Sequence, residues 1–284
     1  MDIALARTFL QIVEAGSFAT AAAQLNVTQS TVSARIKSLE EQLGRSLFQR
    51  SKAGASMTSA GVQFFPHAVG LVRVWEQARH EVSLPEGYSL GLTVGAQFSL
   101  WDGFLLRWLG RIREDQPEIA WRTEVGTSDV LMRRLGEGTL DLAVMYRPQA
   151  RPGFDIELLL EEELVLVTRD SKPLRGLDER YVFVDWGPEF REDHGLNFPE
   201  ATPSGLFLEL GSLSLHYILE FGGHAYFPRR LVAEHLARGE LKIPRWAPVF
   251  SYPAYAVYPQ EADSGELRQA LGVLREIAAA VTGT

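Results

Sequence analysis

Residues Asn26–Gly44 read NVTQSTVSARIKSLEEQLG. Val32, Ile36, Leu39 and Leu43 recur at spacings of four, three and four, the signature of one apolar face on a helix. Thr28 stands where an N-cap belongs, and Gly44 where such a helix stops. The opposite face begins with Gln29, Ser30, Thr31 and Ser33 and continues to Arg35 and Lys37. Short polar side chains in a first turn let a helix sit deep in a DNA major groove. There an amide can bond adenine bidentately, and hydroxyls can meet several base edges. Arg35 and Lys37 lie further along, where phosphates flank the groove.

The preceding residues supply the partner that a recognition helix needs. Leu5, Phe9, Ile12 and Val13 predict a helix over about Ile3 to Ala15, ended by Gly16. Ser17 can cap a short alanine-rich helix, FATAAAQL, whose small residues let another helix approach closely. Two helices joined by the tight Asn26-Val27 turn make a helix-turn-helix. Beyond it, Leu47–Arg50 and Ser56–Thr58 can pair as a hairpin around Lys52-Ala53-Gly54, placing Arg50 and Lys52 beside a DNA backbone.

The whole chain of 284 residues carries a formal charge of -8, which argues against an acidic partner for the molecule as a whole. The charge is uneven. Residues 1–60 hold six basic against four acidic residues, and the remainder 22 against 32. A weakly basic head on an acidic body implies different partners for the two parts. The chain has no cysteine, which excludes disulfides, thiolate metal ligands and a thiol nucleophile. No basic leader precedes a long apolar run, so a cytoplasmic, membrane-free protein is expected.

Val62, Phe65, Val69, Val72 and Trp75 predict a long helix after the hairpin, ending before Pro85. Its apolar stripe suits a dimer seam. From residue 88, strands alternate with helices: SLGLTVGAQ, DGFLLRWLGRIRED, EIAWRTEV, a helix from Asp129, then LDLAVMY. That alternation predicts parallel sheets with right-handed crossovers. LLEEELVLVTR and FSYPAYAVYP are read as strands crossing between two α/β lobes, and Gly265 to Val281 as a helix packed back on the first. Ligands of open α/β sheets sit at the carboxyl ends of strands. The rule selects Gln97, Phe98, Ser99 and Trp101, then Thr127 and Ser128, then Tyr146 and Arg147, and from the second lobe Asp185, Trp186 and Gly187. Ser99 and Thr127 or Ser128 fit two roles: helix caps, or hydroxyls offered to a carboxylate. Trp101 and Trp186 are equally suited to packing, and His194 and His216 to structural roles. No phosphate-binding loop or nucleophile elbow is present, and the histidines lack metal-ligand spacing, so no catalytic residue, cofactor or metal is expected.

Residues 17–61 closely resemble the N-terminal winged helix-turn-helix of LysR-type transcriptional regulators. The match runs through Ser17-Phe18, Ala22-Ala23, Leu25, Val27, Gln29, Val32-Ser33, Ile36, Leu39-Glu40, Leu43-Gly44, Leu47-Phe48, Arg50, Thr58 and Gly61. Proline or alanine is common in that family where this chain has Ser30-Thr31, which makes those two candidates for its own sequence preference. GTLDLAVMY, LLEEELVLV and FGGHAYFPRRLV resemble segments of the family's effector domain, which shares its architecture with periplasmic binding proteins. The resemblance implies a head over 1–61, a linker helix and hinge over 62–87, and an effector domain over 88–284. Lobe I would take about 88–164 and 260–284, and lobe II about 165–259. It implies an inducer in the interlobe cleft near Ser99 and Thr127-Ser128, and a homodimer or homotetramer on a two-fold operator. The linker helix and effector domain would join the subunits, and RNA polymerase would be a partner if the protein activates. Arg147 with nearby hydroxyls and aromatics points to an organic or aromatic carboxylate. A solute-binding protein is the rival reading for the body, against which the attached head argues.

Overall fold

Helix α1 (Ile3–Ala15) starts at Asp2, whose carboxylate accepts the Ala4 N–H at 2.9 Å, and ends at left-handed Gly16. Ser17 caps α2 (Phe18–Gln24) through the Thr20 N–H, and Thr28 caps α3 (Gln29–Leu43) through the Thr31 N–H. These caps satisfy donors that a helix start leaves orphaned. This computed structural model describes residues 2–51, 54–82, 84, 86–170, 174–199, 205–260 and 264–282. Phe9, Ile12, Val32, Ile36 and Leu39 are at most 1% exposed and form the head's core. Each contributes about 1.5–3 kcal/mol through removal from water. Leu43 departs from the expected stripe at 42% exposed. Periodicity assigns a face of the helix, but α3 outruns the core beneath it.

The hairpin forms as expected: β1 (Phe48–Ser51) pairs antiparallel with β2 (Gly54–Met57), with Phe48 opposite Met57 and Arg50 opposite Ala55. Gly54 has φ +129, and an added Cβ would lie 2.5 Å from the Gly16 carbonyl oxygen, so only glycine fits there. The Ala55 N–H donates to that same oxygen. Glu40 accepts the Leu47 and Phe48 N–H groups, so this carboxylate pins the start of the hairpin.

Helix α4 (Ser59–Val82) carries Pro66 within it. Phe65, Val69 and Val72 of the expected seam are buried, whereas Val62 and Trp75 are 53% and 46% exposed. The correction has a physical reason: half of the stripe packs on its own chain, in one cluster with α1 and the outer side of lobe I. A second apolar row on α4, including Leu71, Val74 and Val82, is left exposed.

The body begins with β3 (Leu90–Ala96), α5 (Phe98–Leu100), α6 (Leu106–Asp115), β4 (Ile119–Val125) and α7 (Ser128–Gly136). DGFLLRWLGRIRED is therefore not one helix, because the backbone leaves helical geometry at Asp102 and at Gly103, which has φ +69. Next come β5 (Leu142–Tyr146), β6 (Phe154–Leu160), β7 (Glu163–Thr168), β8 (Val182–Val184), α8 (Pro188–Asn197), β9 (Leu206–Leu208), α9 (Ser214–Phe221) and β10 (His224–Pro228). The chain closes with α10 (Arg229–Ala237), β11 (Phe250–Ser251), β12 (Ala254–Pro259) and α11 (Gly265–Thr282).

Lobe I is a five-stranded sheet in the order β4-β3-β5-β12-β6, with β3 parallel to β4 and β5. Strand β12 runs antiparallel to both β5 and β6. Lobe II has the antiparallel order β10-β7-β11 beside the parallel pair β8-β9. The sheets are thus mixed, not wholly parallel. The chain crosses between lobes at Glu161-Glu162, leaving β6 for β7, and returns at Tyr252-Pro253 from β11 to β12, so residues 254–259 belong to lobe I and not to lobe II as expected, and 163–164 to lobe II. Returning strands must run against their neighbours. Helix α11 packs on α6, where the buried Trp108 indole donates to the Ala270 carbonyl at 2.9 Å.

Candidate DNA-reading face and interlobe cleft

The reading face is built from the first turn of α3. The Thr28 hydroxyl lies 2.8 Å from both the Ser30 and the Thr31 hydroxyls. Gln29 and Ser30 are exposed, and Thr31 and Ser33 half-exposed. The Gln29 amide therefore projects from a turn that its own cap holds in shape. Lys37 is exposed, with a loose 3.7 Å pair to Glu41. Arg35 departs from the expected phosphate role. It is half-buried, and its Nη1 donates to Thr8 Oγ1 at 3.3 Å, tying α3 to α1. Arg50 lies on β1 as expected, while Lys52 falls outside the described residues.

The lobes meet where Arg147 after β5 reaches Asp193 of α8, Phe98 after β3 reaches Gly211, and Arg230 of α10 reaches Ser99. Gln97 joins the lobe I ends: its Oε1 accepts the Tyr146 N–H at 2.7 Å and the Ser128 hydroxyl at 3.4 Å. The Ser128 hydroxyl also donates to the Tyr146 carbonyl at 2.9 Å. Neither serine caps a helix. Thr127 occupies the N-cap of α7 without a side-chain bond, and Ser99 sits inside α5, 4% exposed. The Ser128 hydroxyl is drawn away by the carbonyl of the next strand, whereas the Thr127 side chain stays exposed at the helix start. Phe98 is 41% exposed and reaches across to Gly211 of lobe II.

Both tryptophans are structural. The Trp101 indole donates to the Glu124 carbonyl at 3.0 Å, behind lobe I, and the Trp186 indole to the Tyr226 carbonyl at 2.8 Å. Asp185 accepts the Gly187 N–H and the Arg191 guanidinium, which fixes the turn before α8. Arg147 has φ +44, rare for a side-chain-bearing residue. Its guanidinium crosses the cleft to Asp193 of α8 at 3.7 Å. His194 is buried against Tyr181, whose hydroxyl lies 2.8 Å from Nε2, and His216 is exposed. Burial pulls the His194 pKa down to about 4.

Three central residues escape a reading by strand ends: Glu162, Arg230 and Tyr252. Glu162 is 5% exposed at the crossing. It accepts the Tyr146 hydroxyl at 2.6 Å and the Arg230 Nε at 3.0 Å. Arg230 also donates to the Ser99 carbonyl at 2.9 Å and to that of Asp102. One guanidinium of lobe II thus holds lobe I and the hinge together. The Tyr252 ring lies 4.2 Å from that of Tyr146, and its hydroxyl donates to the Trp186 carbonyl. Burial, then the Glu162 charge, raises the Tyr146 pKa well above its ordinary value, so the phenol remains a donor. A local signal existed for this network. Arg229-Arg230 opens a helix, where its dipole disfavours cations, so these arginines require specific acidic partners. Glu161–Glu163 at the crossing supplies them, Glu163 for Arg229 and Glu162 for Arg230.

A DNA-reading head joined to a hinged two-lobed α/β body defines a class of protein, the one-component regulator. Comparison places it within that class. The profile of the bacterial regulatory helix-turn-helix protein, lysR family, matches residues 3–62, and that of the LysR substrate binding domain matches 86–279. The transcriptional regulator HdfR of Escherichia coli O139:H28 is 31% identical over 271 residues, covering 94% of this chain and 95% of the relative. The chain belongs to the LysR-type family of DNA-binding transcriptional regulators. Full-length LysG from Corynebacterium glutamicum with bound effector Arg superposes with a TM-score of 0.62, at 19% identity over 99% of both chains. Full-length BenM superposes at 0.55, with 24% identity over 99% of this chain and 97% of its own. Those two likenesses concern the fold.

Proposed function

We propose that this regulator senses a small organic or aromatic carboxylate in its interlobe cleft and binds a two-fold operator as a dimer or dimer of dimers. Arg147 carries the reading. Its left-handed backbone is a strained conformation of the kind kept at functional sites, and its side chain spans the two lobes. The Arg147–Asp193 pair is solvent-exposed and long, worth at most about 1 kcal/mol, so a ligand carboxylate can displace Asp193 at little cost. The Ser128 bond to the Tyr146 carbonyl brings the N-terminus of α7, where Thr127 makes no cap bond, to the strand end that carries Arg147, and that terminus favours the same charge. Arg230 is not the anion receptor, because Glu162 already neutralises it.

We assign the head to 1–61, the linker and hinge to 62–87 and the effector domain to 88–284. Gln29, Ser30, Thr31 and Ser33 read bases, Lys37 and the wing's Arg50 and Lys52 hold phosphates, and Arg35 positions α3. The exposed α4 row supports a homodimer, with RNA polymerase as a further partner at activated promoters. The protein acts in the cytoplasm and is not an enzyme. Among the described residues no helix is long and apolar enough to cross a membrane.

A thermal-shift screen of organic acids tests the cleft, because a ligand of the folded state stabilises it by mass action. Hits that lose their shift in Thr127→Val and Arg147→Gln support the assignment. Hits that shift both variants fully overturn it.

A further inference from the structure

Lobe I holds a second concavity, at the other end of α7 from the cleft. Ser128 opens this helix beside Gln97, while Gly136 closes it at a half-enclosed cavity of about 510 Å³. That volume falls in the range of small-molecule sites, roughly 300–1,000 Å³. The head, the linker and lobe I build it: α1 and β2 of the head, α4, and from lobe I the end of α7 with the Arg151–Phe154 segment that leads into β6. Leu10, Val13, Met57, Phe65 and Phe154 give it apolar walls.

The charges around it almost cancel. Glu76 pairs with Arg7 and Arg79, and Arg133 pairs with Glu14 and Glu137. Four arginines thus face three glutamates, and Arg151 lines the cavity with no hydrogen bond or ion pair among the described residues, sharing only the charge of Glu14 with Arg133. It is half-exposed, so its guanidinium is hydrated and can be approached. Burial raises the Glu14 pKa, and Arg151 is the largest opposing influence, which sets the two groups near each other.

We propose that this cavity binds an amphipathic monocarboxylate, its apolar body against Leu10, Met57, Phe65 and Phe154 and its carboxylate on Arg151. The walls define the body, since Leu10, Val13 and Met57 are half-buried and gain by shedding the water beside them, while the buried Phe65 and Phe154 close the apolar floor. The surplus guanidinium defines the head group, because a carboxylate is the planar acceptor that fits its fork. One negative charge completes the balance. The ligand touches head, linker and lobe I together, so it binds the packed arrangement of these parts and favours it over others. This is a second small-molecule site, independent of the cleft and of what the cleft binds.

4-Benzoylbenzoate serves as the probe, being an aromatic monocarboxylate that labels neighbouring C–H bonds under light. The full-length protein is titrated, irradiated and mapped by mass spectrometry. Adducts are expected on Met57 or its wall neighbours. Arg151→Gln is expected to weaken binding at least about tenfold, the share of one charge-assisted contact, with partial rescue by Arg151→Lys. Leu10→Trp fills the cavity and should remove the labelling, while Thr127→Val should leave it intact. Equal affinity in Arg151→Gln, or labelling confined to the cleft and lost in Thr127→Val, would overturn the proposal. Arg151 makes no hydrogen bond or ion pair among the described residues and acts only electrostatically on Glu14, so Arg151→Gln should fold, and the melting temperature of the ligand-free variant separates a folding loss from a binding loss.

Discussion

The head and the cleft handle their polar groups in opposite ways. On α3, Gln29, Ser30 and Lys37 face water, and the bonds among Thr28, Ser30 and Thr31 are local. In the cleft, Tyr146, Glu162, Arg230, Gln97 and Ser128 are bonded to one another across long stretches of chain. A surface that reads DNA must stand ready, and its exposed groups cost little to keep. A hinge that must hold two lobes consumes its own donors and acceptors. The difference teaches where substitutions should hurt: folding should depend on the cleft network, and on the proposed reading recognition should depend on the helix face.

The sharpest break in that contrast is Glu162→Ala. It leaves Arg230 buried, with a side chain 11% exposed, and without its carboxylate. Removing one partner of a buried pair costs about 3–5 kcal/mol, whereas Lys37→Ala on the head should stay within about 0.5 kcal/mol. Urea denaturation of the two variants measures the gap, and similar losses would erase the distinction drawn between the regions.

A smaller effect follows from His194. Folding holds it neutral down to about pH 4, while the unfolded chain takes up a proton near its ordinary value of about 6.5. The folded pKa is depressed, so its contribution is whole above about pH 6.5 and is lost as the pH falls toward 4. The loss amounts to about 2–3 kcal/mol. Denaturation at several pH values should show that much more acid sensitivity in the native protein than in His194→Phe. Parallel curves would mean that His194 is charged in the fold.

The smallest concerns the head's own framework. Thr28→Ala removes the cap of α3 and should cost about 1 kcal/mol, with a matching loss of order in the reading turn. Thr28→Ser should restore most of it. A silent Thr28→Ala would make the hydroxyl cluster ornamental.

How much could be read from the sequence follows the same divide. Gly16, Ser17, Thr28 and the presence of the hairpin are legible because each is decided within a few residues, whereas its strands lie at 48–51 and 54–57 rather than 47–50 and 56–58. Leu43, Val62 and Trp75 were misplaced, because spacing assigns a face of a helix and not the extent of the core beneath it. Ser99 and Ser128 looked like caps, and the competing carbonyls and phenol arrive from other strands. Glu162 and Arg230 lie 68 positions apart, beyond any local spacing, although paired arginines at a helix start and three glutamates at a crossing were each a hint.

The central claim is that α3 reads DNA with separable base and phosphate contacts. Salt-dependent binding of the full-length protein to DNA from beside its own gene tests it most directly. The account predicts a logarithmic affinity that falls linearly with the logarithm of salt concentration. Lys37→Ala should lower the slope by about 1 and weaken all sequences alike, while Gln29→Ala keeps the slope and loses about 1–3 kcal/mol for the specific site alone. Salt-independent binding, or equal loss of specific and non-specific affinity in Gln29→Ala, would contradict it.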